Sequence, residues 1–333
     1  MNTLARRSRR AVAGRPASVV VAWALVLLAG ASAPCLIPAG CAPPGAEGAP
    51  EDDLLLLEQL AFVPAGRAIP ATLSGGSVDA VASPEALLVG MYEVTRGEFK
   101  RFALTSGIEL DPLLAQRVDR WGEADAALPA VFLTRDEAEH YARSIGMRLP
   151  SSREWLYCAL SPRALTYPWA DAWQQGRANT LELGLSPKAA TPVGTFEGGR
   201  TATHLYDLLG NVWEWASDDL YADAGPETQA TAFGGSFSSY KQEMHREGAF
   251  FSQSLHPGTR LEDLGFRVAG FARAWLAAHA SSLGRSQDAR RRLEAVGRRW
   301  GNAAAPLLAE LASNAPAGDE REALEALHDG ARR

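Results

Sequence analysis

Apolar and polar positions along the first half of the chain fall into two kinds of period. Residues 60–66 (LAFVPAG) and 85–95 (EALLVGMYEVT) are short runs rich in Val, Leu, Phe and Tyr, which predicts strands. The second run leads into a helix: Thr95 is a good N-cap residue, Phe99 and Phe102 share one face of RGEFKRFALTSG, and Gly107 ends it. LTRDEAEHYARSIG repeats the pattern, with Thr134 as cap, Glu137 three residues on as its capping-box partner, and Gly146 as the stop. LPSSREWLYCAL, 149–160, predicts a third short helix with Trp155 and Cys158 at i, i+3. From Tyr167 to Ala269 the periodicity fades into loops, turns and isolated short strands. A compact segment with so much irregular backbone needs polar partners or ions for its buried amides and carbonyls. From Arg273 onward Ala, Arg, Leu and Glu dominate, which predicts two or three amphipathic helices with Leu293, Val296 and Trp300 on one stripe.

The N-terminus has another texture. Arg6, Arg7, Arg9 and Arg10 precede a sixteen-residue apolar stretch, 18–33, short for a bilayer span and closed by small residues as in a signal peptide. The following IPAGC, 37–41, resembles a bacterial lipoprotein signal with Cys41 as the lipidated residue, although Pro38 stands where that pattern has leucine. The chain is therefore expected to be exported and held at the membrane, facing the periplasm or cell surface. The expected divisions are a signal peptide at 1–40, a flexible acidic linker at 41–56, a globular domain at 57–271 and a helical extension at 272–333.

Composition narrows the function. A chain of 333 residues with 47% hydrophobic content and nine tryptophans builds a real core, which excludes a wholly disordered protein. The formal charge of −6 becomes −11 once the first forty residues, with five arginines and no acid, are set aside. An acidic body with no basic stripe excludes nucleic acid as a partner. Of three cysteines, Cys35 lies within the signal and Cys41 at the lipidation position, so Cys158 is the one thiol left in the body and an intramolecular disulfide is not available.

Four signatures then stand in a fixed order: YEVTRGEFKRF (92–102), MRLPSSREWLY (147–157), LYDLLGNVWEWASD (205–218), and FGGSF (233–237) with LGFRVA (264–269). Together, over about residues 58–270, they resemble the formylglycine-generating enzyme family, the sulfatase-modifying factors. The resemblance implies an α+β, C-type-lectin-like fold with much irregular structure. It also implies an activity, the copper-dependent oxidation of a sulfatase cysteine to formylglycine. In active members of the family two cysteines follow the glycine–glycine–serine turn; here those positions are Ser239 and Met244. Soft thiolates select Cu(I), whereas a hydroxyl is hard and essentially unionised and a thioether brings no charge. No copper and no formylglycine synthesis are expected, which would make the chain a pseudoenzyme.

Other family positions remain. Trp215 and Ser236 match residues that line the family's groove, and His245 and Arg246 are further groove candidates; the alternative for Trp215 is a core aromatic and for Ser236 a turn hydroxyl. The resemblance implies a calcium loop at Gly210, Val212 and Glu214 with Asn211 fixing the turn; the alternative is that Glu214 only accepts hydrogen bonds between two buried tryptophans. A second calcium position matches Asn179 and Thr180, but its acidic loop is shortened and holds no aspartate. His204, His245 and His256 lack metal-ligand spacing, and proximity of Ser239, His245 and Glu247 in sequence says nothing about a nucleophilic triad. The leading expectation is a ligand-binding or accessory module for an unknown peptide, protein or glycan. The alternatives are an oxidoreductase or other enzyme with altered chemistry in the same groove, and a partner protein that works through the stripe of Leu293, Val296 and Trp300.

Overall fold

The computed structural model describes residues 50–68, 81–160, 165–220, 229–241 and 252–333. The signal peptide, Cys41, Met244, His245 and Arg246 lie outside them. A first helix, α1 (Pro50–Glu58), leads into strands β1 (Leu60–Val63), β2 (Gly66–Ala68), β3 (Val81–Ser83) and β4 (Leu87–Gly90). Helices α2 (Arg96–Thr105), α3 (Pro112–Arg120), α4 (Arg135–Ser144) and α5 (Ser152–Leu160) follow. Among the described residues, the irregular stretch then contributes the strands β5 (Trp213–Trp215), β6 (Ala230–Phe233), β7 (Ser252–Leu255), β8 (Leu264–Gly265) and β9 (Ala269–Phe271). Helices α6 (Ala272–Gly284), α7 (Ala289–Trp300), α8 (Ala305–Asn314) and α9 (Asp319–Ala331) close the chain. No helix among the described residues is long and apolar enough to cross a membrane.

Three small sheets result. β4 sits between β1 and β9, antiparallel to both, and β2 pairs with β3. The third has the order β7-β6-β5-β8, with β5 and β8 parallel. The predicted capping box at Thr134 forms, and the Thr95 cap proves to be one as well: Thr95 accepts from Glu98 N–H and Thr134 from Glu137 N–H, each glutamate returning to its cap's own N–H. Helix α3 was not foreseen; Asp111 caps it and Pro112 opens it.

Two expectations change at the edges. The linker expected over 41–56 gives way to helix from Pro50, because Leu54 and Leu57 are fully buried, in the same core as residues of α6 and α7. The extension packs on the main domain, the leading expectation for its helices; four of them are present where two or three were expected, and β9 runs directly into α6. Leu293, Val296 and Trp300 are 1%, 1% and 6% exposed, so the stripe proposed for a partner is already covered by this chain. They share a core with Leu60, Phe62 and Trp213. Trp300 packs tilted against Phe62 with ring centroids 5.7 Å apart, and its indole N–H donates to the Leu60 carbonyl at 2.9 Å.

Candidate functional site

Strand β6 delivers the chain to Gly234 and Gly235, whose φ of +94° and +70° favour glycine; a Cβ on Gly234 would meet the Leu208 carbonyl oxygen at 2.9 Å. The turn beyond is closed on itself. The Ser236 N–H donates to the Ser239 hydroxyl at 3.0 Å, and the Ser239 N–H donates back to the Ser236 carbonyl at 2.9 Å. The Ser236 hydroxyl donates to Asp263 at 2.6 Å and accepts from the Ser238 N–H at 3.1 Å. Both serines are buried. Trp215 is completely buried and donates its indole N–H to the Leu133 carbonyl at 3.0 Å. Trp215 thus sits as a core aromatic and Ser236 as a turn hydroxyl, the readings that outweigh a groove role for both.

Beneath this turn lies a charged centre. Arg267 spans both Glu214 oxygens at 2.5 and 2.6 Å and is 1% exposed. The guanidinium also donates to the carbonyls of Gly90, Met91 and Tyr206, at 3.0, 3.2 and 2.8 Å. Glu214 accepts in addition from the Trp155 indole N–H at 2.7 Å. Around the pair stand two further carboxylates. Asp207 accepts from the Gly194 N–H at 2.7 Å; burial pushes its carboxyl up to about 6, with Arg267 pulling the other way. Glu93 accepts from the Asn211 amide at 3.0 Å, and burial, with Asp207 and Glu214 nearby, pushes it well above the usual carboxylate range. Its second oxygen has no partner among the described residues. One guanidinium faces three buried carboxyl groups, and desolvation raises Glu93 and Asp207 against its pull.

The loop over this centre is tied by Asn211, which sits at φ +56°. Its side-chain oxygen accepts from the Thr191 N–H at 2.9 Å and the Asn179 amide at 3.2 Å. Its main-chain N–H donates to the Asn179 carbonyl at 2.8 Å, and its carbonyl accepts from the Phe237 N–H at 2.9 Å. The irregular stretch thus satisfies its backbone through side-chain amides and buried carboxylates.

With this geometry in view, comparison with known proteins decides the relationship. The sulfatase-modifying factor enzyme 1-like domain matches residues 55–271. The chain belongs to that family. Relatives include the inactive C-alpha-formylglycine-generating enzyme 2 of Mus musculus, 30% identical over 44% of this chain and 50% of its own length. The formylglycine-generating enzyme of Mycobacterium tuberculosis is 36% identical over 32% of this chain and 39% of its own. The hercynine oxygenase of Mycolicibacterium thermoresistibile is 40% identical over 28% of this chain and 21% of its own. The chain thus spans half or less of the length of these curated relatives. Among solved structures, PvdO from Pseudomonas aeruginosa shares the fold: TM-score 0.51, 21% identity, covering 63% of this chain and 93% of that one.

The family's metals can now be tried against the residues present. Copper needs two thiolates, and at the first of the two positions the Ser239 hydroxyl is spent on a backbone N–H. Cys158, the one described cysteine, is buried on α5, where burial pushes its thiol up to about 12. Calcium at 210–214 does not fit either. Both Glu214 oxygens are held by a guanidinium, and a divalent cation there would face the Arg267 charge directly. At the second position the Asn179 carbonyl accepts from Asn211 and the Thr180 hydroxyl donates to Glu182 at 2.8 Å. No group of three or more His, Cys, Asp or Glu side chains among the described residues is arranged for a metal.

Sequence reasoning missed Glu93 and Arg267 as site residues, although both sit inside quoted signatures. The signal was there: a lone arginine between apolar residues in LGFRVA, and a lone glutamate in MYEVT. A charge in a strand-like run that does point inward must be paired, because Glu and Arg are almost never fully buried otherwise.

Proposed function

We propose that this chain is an exported, lipid-anchored member of the sulfatase-modifying factor family that binds a ligand and does not make formylglycine. One observation carries the reading. At the position where the resemblance puts the first copper cysteine, Ser239 closes a buried turn with its hydroxyl. A copper site there would need that turn opened as well as the side chain exchanged. The existence of an inactive relative, the mouse enzyme 2, supports the reading as precedent within the family. Fold alone does not settle function, so the turn and not the likeness is the argument.

The test is direct. The purified full chain is incubated with Cu(I) and a sulfatase-type cysteine peptide in air, with bound copper and peptide aldehyde both quantified. No stoichiometric copper and no aldehyde are expected. Either one, above a metal-free control, would overturn the proposal.

A further inference from the structure

The loop from Asn179 to Thr191 folds against the Ser236–Ser239 turn and leaves a cavity. The Leu181 N–H donates to the Ser239 carbonyl at 3.1 Å. The Glu182 carboxylate takes the Thr180 hydroxyl at 2.8 Å on one oxygen and the Lys241 main-chain N–H at 2.7 Å on the other. The Asn179 amide donates to the Ala189 carbonyl at 3.0 Å, drawing the far end of the loop back. Between these ties lies a space of about 110 Å³, lined by the apolar Leu181, Leu185, Ala189 and Phe237 and by the polar Asn179, Thr180 and Lys188. It is smaller than the roughly 150 Å³ that takes a benzene ring, and its apolar wall suits a branched aliphatic side chain.

Three further features bear on the occupant. Lys188 is exposed and makes no ion pair or hydrogen bond with a described residue, so a cation stands available at an apolar opening. This matters in a chain with only three lysines and an acidic balance, where most cationic side chains are arginines and many of those described are engaged with acids. Apolar surface also reaches outside the cavity: Leu185, one of its lining residues, is 41% exposed. A ligand that filled only the cavity would leave that surface wet.

We propose that this cavity is an anchor subsite for a partner polypeptide, taking one branched aliphatic side chain inside and the carboxylate of a following Asp or Glu against Lys188. The subsite rests on the ligand-binding reading above and gives it a substrate class. Burial of the aliphatic group supplies the affinity, and the lysine selects the sign of the neighbouring charge.

Three fluorescein-labelled peptides test it by anisotropy with the full chain: GSLDSG, GSLKSG and GSGDSG. GSLDSG is expected to bind, and each of the others about tenfold or more weakly, since either the charge or the anchor is lost. Lys188→Glu should reverse the preference between the Asp and Lys peptides, and Ala189→Phe, which fills the space, should remove binding of all three. Unchanged thermal unfolding midpoints for both variants show that the effects are local. Equal binding of the three peptides, no binding up to about 1 mM, or an unchanged preference in Lys188→Glu each overturns the subsite. None of those results would produce copper binding or an aldehyde, so failure here is distinguishable from failure of the parent proposal.

Discussion

Around Arg267 the chain buries four charged side chains together with main-chain groups of loops that have almost no ladder of their own. Around Trp300, α1 and the last four helices bury Leu54, Leu57, Leu293, Val296 and Leu327, and their backbones satisfy themselves. The contrast teaches what each texture demands. Helices bring their own hydrogen bonds, so the helical flank needs only area and shape. An irregular segment must borrow partners, and here it borrows them from a guanidinium, two asparagines and three carboxylates. Such a centre is a weak source of net stability, because desolvation offsets much of the attraction, yet removing one member is expensive.

The largest effect is therefore expected from Arg267→Met. It leaves Glu214 buried and uncompensated, and three carbonyls lose their donor, so about 5 kcal/mol should be lost, the upper end for breaking a buried pair. Removing both charges in Arg267→Met with Glu214→Leu should recover a large part of this loss. Urea midpoints on the two variants check it; a single variant within about 1 kcal/mol of the parent would mean that water reaches the centre.

Trp300→Ala probes the other side. About 3–5 kcal/mol is expected from lost contact and the remaining cavity, with the lower half more apt because the Leu60 carbonyl keeps a second donor in Arg299 at 3.1 Å. Trp300→Phe, which keeps most of the apolar area, should cost markedly less. Equal losses for Ala and Phe would show that the indole hydrogen bond, and not area, holds this flank, and the contrast between the two regions would fail.

The same contrast explains what could be read from the sequence. The cap at Thr95 and the capping box at Thr134 were legible because every part lies within four residues. The stripe of Leu293, Val296 and Trp300 was legible as a stripe, but the surface that it covers is more than two hundred residues away, at Leu60 and Phe62. Helix α1 was hidden by a Pro-, Gly- and acid-rich lead-in, which looks like tether until the DLLLL run finds a core. Arg267 and Glu214 are 53 residues apart, and no local period announces a pair at that separation. The fold was thus readable through its signatures, whereas the roles of Glu214, Trp215 and Ser236 depended on partners that only the folded chain brings together.

The smallest expected effect is also the one that tests the charge count in the polar centre. Burial raises Asp207 to about 6 in the folded chain, against about 3.9 for an unfolded aspartate, and Glu93 shifts in the same direction. A group raised on folding contributes stability that is fully present below its unfolded value and is lost as pH climbs through its folded value. Asp207 should therefore cost stability as pH rises from about 4 to about 6, at up to about 1.4 kcal/mol per pH unit. Asp207→Asn keeps an oxygen that can accept from the Gly194 N–H but cannot titrate. The difference in urea midpoint between parent and variant, followed from pH 4 to 8 at fixed ionic strength, reports Asp207 together with its effect on the neighbouring Glu93. The parent should lose ground to the variant across that window and run parallel to it above pH 7. If the parent instead gains on the variant as pH rises, Arg267 stabilises Asp207 as a carboxylate, and the centre holds fewer protons than one guanidinium among three acids requires.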